Sequence, residues 1–389
     1  MFRVQTLNEI SAVGLVRFDR VRFLVGPDVS DPDAIMLRSF KMHDMVLPDT
    51  LKAVGRAGAG VNNIPVAALS ARGIPVFNAP GANANAVKEL VVAGLLIAAR
   101  NLRGAWEFAE RLEGTDAEIS KAVEAGKKAY AGFELPGRTL GVVGLGAIGR
   151  MVANIGLLLG MKVVGFDPEL TVEGAWQLSA EVRKAGSIEE LLKQVDFVSF
   201  HVPLIDATRH MINATRLQLM KPTATILNFA RDGIVDDGAV VAALDAGRLH
   251  AYLCDFPSNR LKGHPKVLAL PHLGASTKEA EDNCAIMVAD ELSDFLERGN
   301  VRNSVNFPEV VVPREGACRL LVANANVPNM VGQISTAVAQ AGLNIHNLVN
   351  KSHGDLAYTL VDLDSMLPDT VYEQIASIAG VMSVRRITA

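Results

Sequence analysis

The glycines Gly144-x-Gly146-x-x-Gly149 stand between a short apolar run, Leu140 to Val143, and a helix-patterned segment, Arg150 to Leu159. A second apolar run, Lys162 to Phe166, follows and ends at Asp167. In such a strand, turn, helix and strand, the first glycine permits the tight turn. The second lets a pyrophosphate approach the backbone, and the third lets the helix pack on the strand. Ala147 and Ile148 stand in this loop as cofactor contacts, ahead of a helix whose unpaired N–H groups and partial positive charge favour phosphate. Asp167 follows Gly149 by about 18 residues, near the spacing of a carboxylate that bonds ribose hydroxyls. An acid there favours NAD, because a 2′-phosphate would meet like charge.

Further segments carry groups suited to anions or proton transfer. Arg56-Ala57-Gly58-Ala59-Gly60-Val61-Asn62-Asn63 places a guanidinium in a glycine-rich turn. Arginine binds carboxylate or phosphate bidentately, and backbone N–H groups add to it; a solvated surface turn is the other reading. Asn228-Phe229-Ala230-Arg231-Asp232-Gly233 follows an apolar run, Thr225 to Leu227. There Arg231 polarises a substrate carbonyl and holds its carboxylate, or else pairs with Asp232 or Asp236 on the surface. His272, in Pro271-His272-Leu273-Gly274, also ends a strand-like run. A histidine there can take or give the proton that accompanies hydride transfer. His201, in His201-Val202-Pro203-Leu204, ends another such run beside the cofactor, whereas His43, His210, His250, His264, His346 and His353 have no such context. No His, Cys and acid spacing marks a metal site, and no serine stands in a nucleophile elbow.

These segments need a scaffold that brings strand ends together. Strand-like and helix-like runs alternate to about residue 310, which demands an α/β fold with parallel sheets. Asn85 to Arg100 is too apolar for a solvated helix, whereas Glu107 to Lys128 reads as exposed helices. Near Pro308 to Gly316 the composition changes to that of a linker. Beyond it the runs read as strand, helix, strand, strand, helix, strand, a ferredoxin-like βαββαβ module. The chain has 389 residues, 49% hydrophobic and 21% charged, which fits several compact domains. A net charge of −4 without basic blocks argues against nucleic acid as a partner. Cys254, Cys284 and Cys318 cannot all pair, and their sparseness fits a reducing compartment. With no leader-like start and no membrane-length apolar run, the expected location is cytoplasmic, without a membrane partner.

Taken together, Gly55-Arg56-Ala57-Gly58, the Gly144 to Gly149 loop, His201-Val202-Pro203-Leu204, Asn228 to Gly233 and Pro271 to Thr277 resemble the D-isomer-specific 2-hydroxyacid dehydrogenases. The likeness is to members that act on 3-phosphoglycerate and carry a C-terminal ACT domain. It implies a flavodoxin-like substrate domain from residues 1–98 and 277–310, with a Rossmann-type NAD-binding domain, 99–276, inserted in it. Residues 317–389 form the ACT domain. The implied reaction oxidises 3-phosphoglycerate to 3-phosphohydroxypyruvate, the entry to L-serine synthesis. Arg231 then clamps the 2-oxo acid and His272 is the acid/base. Asp255 lies near the nicotinamide amide, and Val202, Ala230 and Gly274 touch the cofactor alongside His201 and Pro203. Arg56, Ala57 and Gly58 hold substrate with Asn83 close by, and Arg38, Ser39 and Lys41 are further candidates for its phosphate.

The chain departs from the family at one catalytic position. A glutamate that bonds the catalytic imidazole usually follows the aspartate matched by Asp255, but the sequence here is Asp255-Phe256-Pro257-Ser258-Asn259-Arg260. Asp255 is the nearest spare carboxylate in sequence, and reduced but real activity is expected. In the ACT resemblance, Asn324, Asn326 and Asn344 match positions that bind an amino-acid effector between two such domains, although Asn324 replaces the usual histidine. L-serine is the implied effector, a purely structural module the alternative, and a homo-oligomer, dimer or tetramer, the implied assembly. Hydroxypyruvate or glyoxylate reduction, or non-catalytic NAD sensing on the same fold, remain as other functions.

Overall fold

The structure is a computed structural model and describes residues 1–388. Its contacts divide the chain into two compact units, residues 84–277 and the remainder on either side.

The outer unit begins with β1 (Phe2–Leu7), β2 (Phe23–Gly26), β3 (Ala34–Leu37), β4 (Ala53–Arg56) and β5 (Val76–Asn78). They pair in parallel in the order β2-β1-β3-β4-β5, the flavodoxin-like arrangement. All of β3 is buried, as an apolar run covered on both faces requires. The helix Lys278–Arg298 returns the chain to this sheet. There Val288 and Leu292 fill the space beside Gly55, and Phe295 meets Phe77 with ring centroids 5.4 Å apart.

The inserted unit holds β6 (Thr139–Val143), β7 (Lys162–Phe166), β8 (Arg183–Lys184), β9 (Phe197–Phe200), β10 (Thr225–Asn228), β11 (Ala251–Cys254) and β12 (Val267–Ala269). All seven are parallel, in the order β12-β11-β10-β9-β6-β7-β8. Strand order reverses between β6 and β9, the crevice where doubly wound sheets bind dinucleotides. The helix Ala84–Ala99 belongs here rather than with residues 1–98. Its Val87, Val91 and Leu95 share one core with Leu140, Phe197 and Leu227.

The C-terminal module consists of β13 (Cys318–Ala325), β14 (Ile345–His353), β15 (Leu356–Leu363) and β16 (Val381–Thr388) with the helices Met330–Gln340 and Asp369–Ala376. The sheet is antiparallel, in the order β14-β15-β13-β16, and gives the expected βαββαβ fold. It belongs to the outer unit because Leu321, Ala323, Tyr358 and Leu360 share a core with Val4, Phe77 and Phe295.

One buried ion pair ties this module to the rest of its unit. Arg319 and Asp362 have no exposed side-chain surface, and Nε and Nη2 of Arg319 donate to the two carboxylate oxygens at 2.7 Å each. Arg319 also donates to the carbonyls of Arg298, Val312 and Pro313 at 2.9, 3.1 and 2.7 Å. Every N–H of the guanidinium is therefore used. Removing one partner leaves a buried charge uncompensated, so Asp362→Leu should cost about 3–5 kcal/mol in urea unfolding. Pairing it with Arg319→Met should recover most of that loss. An Asp362→Leu protein as stable as the parent would contradict this account.

Candidate active site

Every sequence-predicted residue of the inserted unit falls on the carboxyl edge of its sheet, because the strands all run one way. Along that edge His272 follows β12, Asp255 follows β11, Arg231 follows β10 and His201 follows β9. The Gly144 turn follows β6 and Asp167 follows β7. With strands ~4.8 Å apart, the ends of β7 and β12 are separated by about 24 Å. That row suits an extended ligand with its sugar acid at one side and its reactive end at the other.

The three loop glycines are required for different reasons. Gly144 has φ +85°, and a Cβ there would strike the His201 carbonyl at 2.6 Å and Val202 Cγ1 at 2.8 Å. A Cβ at Gly149 would run into the Gly144 carbonyl. Gly146 is exposed, has φ −65°, and its Cβ would meet nothing within 4 Å. The folded chain therefore needs the first and third glycines, while the second leaves open space at the start of the helix Ala147–Leu158. That space fits a pyrophosphate on the helix N–H groups. Asp167 is fixed beside it, accepting from the N–H groups of Leu145 at 2.7 Å and Glu169 at 2.9 Å.

His201 shares a hydrogen bond of 2.9 Å with Ser199 Oγ, and its Nδ1 is buried without a partner. Burial holds its pKa down at about 3, so the ring is neutral at working pH. It cannot act as a cation toward phosphate.

The other end of the edge is shaped by two buried side chains. Asn228 donates to the Arg231 carbonyl at 3.0 Å and accepts from the Ala230 N–H at 3.3 Å, which sets the turn carrying Arg231. Arg231 is exposed, and its Nη1 donates to the Ala230 carbonyl at 2.6 Å. Among the described residues it forms no ion pair with Asp232 or Asp236, and Asp236 caps the next helix through Gly238 and Ala239 at 2.9 and 3.1 Å. Asp255, only 1% exposed, accepts from the N–H groups of Leu273 and Gly274 at 2.7 Å each. These bonds hold a turn in which His272 takes φ +54° and presents an exposed ring, edge-on to Phe256 at 5.1 Å. Asp255 is thus the buried anchor of the turn that carries His272, and its carboxylate makes no hydrogen bond to the His272 ring. Among the described residues, no carboxylate bonds the His272 ring.

In the outer unit Arg56 ends β4 and its Nε donates to Asn63 Oδ1 at 3.0 Å. The expected contribution of backbone N–H groups is not available at two positions. The amide of Ala57 donates to Leu37 O and that of Gly58 to Arg56 O, each at 2.7 Å. Arg38 is engaged by Glu281 at 2.6 Å. Asn83 keeps a buried Oδ1 without a hydrogen-bond partner.

In the C-terminal module Asn324 and Asn326 line one cavity of about 130 Å³ with Val327, Asn329 and Asn350. Asn324 is itself buried, accepting from Thr359 Oγ1 at 3.1 Å. Asn344 is not in that cavity. Asn324 pairs opposite Ala357 while Ile345 pairs opposite Leu363, so the two lie at opposite ends of β15, about 20 Å apart. Asn344 donates instead to Asp364 at 2.5 Å. Within one chain these three amides do not form one site.

Sequence reasoning assigned no role to Asn63, Ser199 or Asn228. The signal for Asn228 was legible, an asparagine at a strand end before a tight turn. Those for Asn63 and Ser199 were not, because their partners are set by the fold.

A parallel sheet reversing beside a glycine loop and a fixed acid is the fold of a dinucleotide-dependent dehydrogenase. Residues 102–274 match the family described as D-isomer specific 2-hydroxyacid dehydrogenase, NAD binding domain. The chain is 35% identical over 344 residues to the D-3-phosphoglycerate dehydrogenase of Methanocaldococcus jannaschii, covering 86% of this chain and 62% of that one. It is 33% identical over 347 residues to the enzyme of that name from Haemophilus influenzae, covering 86% of this chain and 81% of that one. It thus spans less than two thirds of the first of these relatives. The D-mandelate dehydrogenase of Rhodotorula graminis superposes with a TM-score of 0.68 at 25% identity, over 81% of this chain and 99% of that one. The chain belongs to the D-isomer-specific 2-hydroxyacid dehydrogenases. Its inserted unit is the NAD-binding domain of that family, and the open space at Gly146 with the carboxylate of Asp167 fits that cofactor.

The glycines separate ligand from fold in a testable way. Gly146→Ala should leave folding stability within about 0.5 kcal/mol while weakening NADH binding more than ~10-fold, or 1.4 kcal/mol. Gly149→Ala should cost about 1–3 kcal/mol in stability through the forced clash. Fluorescence titration with NADH and denaturant unfolding read the two effects. Equal NADH affinity in parent and Gly146→Ala would remove the pyrophosphate from that position.

Proposed function

We propose that this protein is an NAD-dependent dehydrogenase that oxidises 3-phosphoglycerate to 3-phosphohydroxypyruvate, opening L-serine synthesis. What carries the reading is the pairing of Arg231 and His272 on nearby strand ends of the NAD-binding sheet, with His272 held out by the Asp255 turn. The relatives named D-3-phosphoglycerate dehydrogenase supply the substrate. NAD, when bound, accepts the hydride from C2 of the hydroxy acid. His272 takes the hydroxyl proton as that bond breaks and returns it in the reverse direction. Arg231 holds the substrate carboxylate in its forked donor geometry and polarises the developing carbonyl. Arg56, with Asn83 close by, holds a further anionic part of the substrate. Without a carboxylate to orient its ring, His272 works below the rate of family members that have one.

NADH oxidation with 3-phosphohydroxypyruvate is the direct test, with hydroxypyruvate and glyoxylate as alternative substrates. His272→Asn tolerates the left-handed backbone and should lower kcat about 10²- to 10⁴-fold with NADH affinity unchanged. A higher kcat/KM on an unphosphorylated acid would move the substrate assignment. No turnover of any of the three, with NADH still bound, would favour a sensing role.

The C-terminal module is proposed to bind a small amino acid such as L-serine at Asn324 and Asn326, with Asn344 supplied by a second copy in a homo-oligomer. Amides can both accept from and donate to the charged ends of an amino acid. L-serine should shift activity or melting temperature in the parent and neither in Asn324→Ala. A flat response of the parent in both would leave the module structural.

A further inference from the structure

The structure assigns Asn63 as a positioning residue for Arg56, an inference that rests on the proposed role of Arg56 in holding substrate. Strands β3 and β4 are parallel neighbours with Leu37 opposite Arg56, so the segments after them leave the sheet side by side. Asn63, 9% exposed, closes the segment after β4 and reaches back to both. Its Nδ2 donates to the carbonyls of Arg38 at 3.1 Å and Phe40 at 2.7 Å, and its Oδ1 accepts from Arg56 Nε at 3.0 Å. The Asn63 carbonyl also accepts from the Met42 N–H at 2.9 Å.

Only one orientation of this amide satisfies its neighbours. The two carbonyls need the NH₂ group, so the oxygen must face the guanidinium. A flipped amide would set its oxygen against two carbonyls and its NH₂ against the Arg56 Nε–H. The anchoring thus fixes where an acceptor is offered to Arg56, and through Nε it fixes the plane of the guanidinium. A planar fork binds an anion well only when that plane is set in advance. The same amide holds the carbonyls of the Arg38–Phe40 segment, so the backbone that carries the Arg38–Glu281 pair is tied to the same point. Asn63 touches neither substrate nor cofactor in this role. It acts through Arg56.

The experiment is a double-mutant cycle on the full chain, reading NADH oxidation against 3-phosphohydroxypyruvate. Arg56→Gln should raise KM. Asn63→Ala should raise KM about 10-fold, the worth of a hydrogen bond to a charged group, with kcat and NADH affinity little changed. In the Arg56→Gln background Asn63→Ala should add almost nothing, because the group it acts through is gone. The isosteric Asn63→Asp keeps the acceptor but loses both donors, and its carboxylate competes with substrate for Arg56. It should raise KM as well, and it serves for the cycle if the alanine variant folds poorly. Losses that multiply in the double variant, or an unchanged KM in both Asn63 variants, would overturn the assignment while leaving Arg56 in place. An unchanged KM in Arg56→Gln would overturn the role of Arg56 and the inference with it.

Discussion

The parallel direction of the seven strands from β6 to β12 governs the inserted unit. Parallel strands put every carboxyl end on one edge, so segments separated by more than a hundred residues in sequence meet there in a row. Gly144, Asp167, His201, Arg231, Asp255 and His272 each stand within a few residues of such an end. A reversed strand would have sent one of these groups to the far edge. The reversal of order between β6 and β9 then opens the crevice in which the glycine loop lies. The outer unit obeys the same rule with its own five strands, which bring Arg38 and Arg56 to neighbouring ends.

Buried polar side chains hold the segments that leave these edges. Asp255 and Asn228 spend their acceptors and donors on backbone groups of the turns that carry His272 and Arg231. Arg319 spends every donor on Asp362 and on the carbonyls of Arg298, Val312 and Pro313. Such groups are expensive to bury unless fully hydrogen-bonded, and each of these is. The consequence is a rigid turn wherever a reactive or anion-binding side chain must be exposed. His272 illustrates it, since its left-handed backbone persists only because the neighbouring amides are bound to Asp255.

Much of this was legible in the chain. The glycine spacing, the acid at Asp167 and the alternation of elements pointed to the inserted dinucleotide-binding unit, and the last seventy or so residues to a βαββαβ module. The legible features share a local origin: turn chemistry and periodicity are set by residues adjacent in sequence. The part of Asp255 as anchor of the His272 turn is not legible, because its partners, Leu273 and Gly274, lie across the next strand. Residue type alone does not show that the N–H groups of Ala57 and Gly58 are taken by the carbonyls of Leu37 and Arg56. The helix Ala84–Ala99 was assigned to the wrong side of a boundary because its apolar face does not say which sheet it covers.

By itself, the sequence determined which residues could do chemistry and the kind of scaffold they require, because both follow from residue type and local period. Only the tertiary structure decided which of them are spoken for. Asp255 became a turn anchor, Asn63 the support of Arg56, and Asn344 a residue remote from Asn324. The physical reason is that hydrogen bonds in a packed interior saturate. A backbone N–H taken by another carbonyl, as at Ala57 and Gly58, is lost to a ligand, and strand register, not spacing along the chain, decides which groups meet.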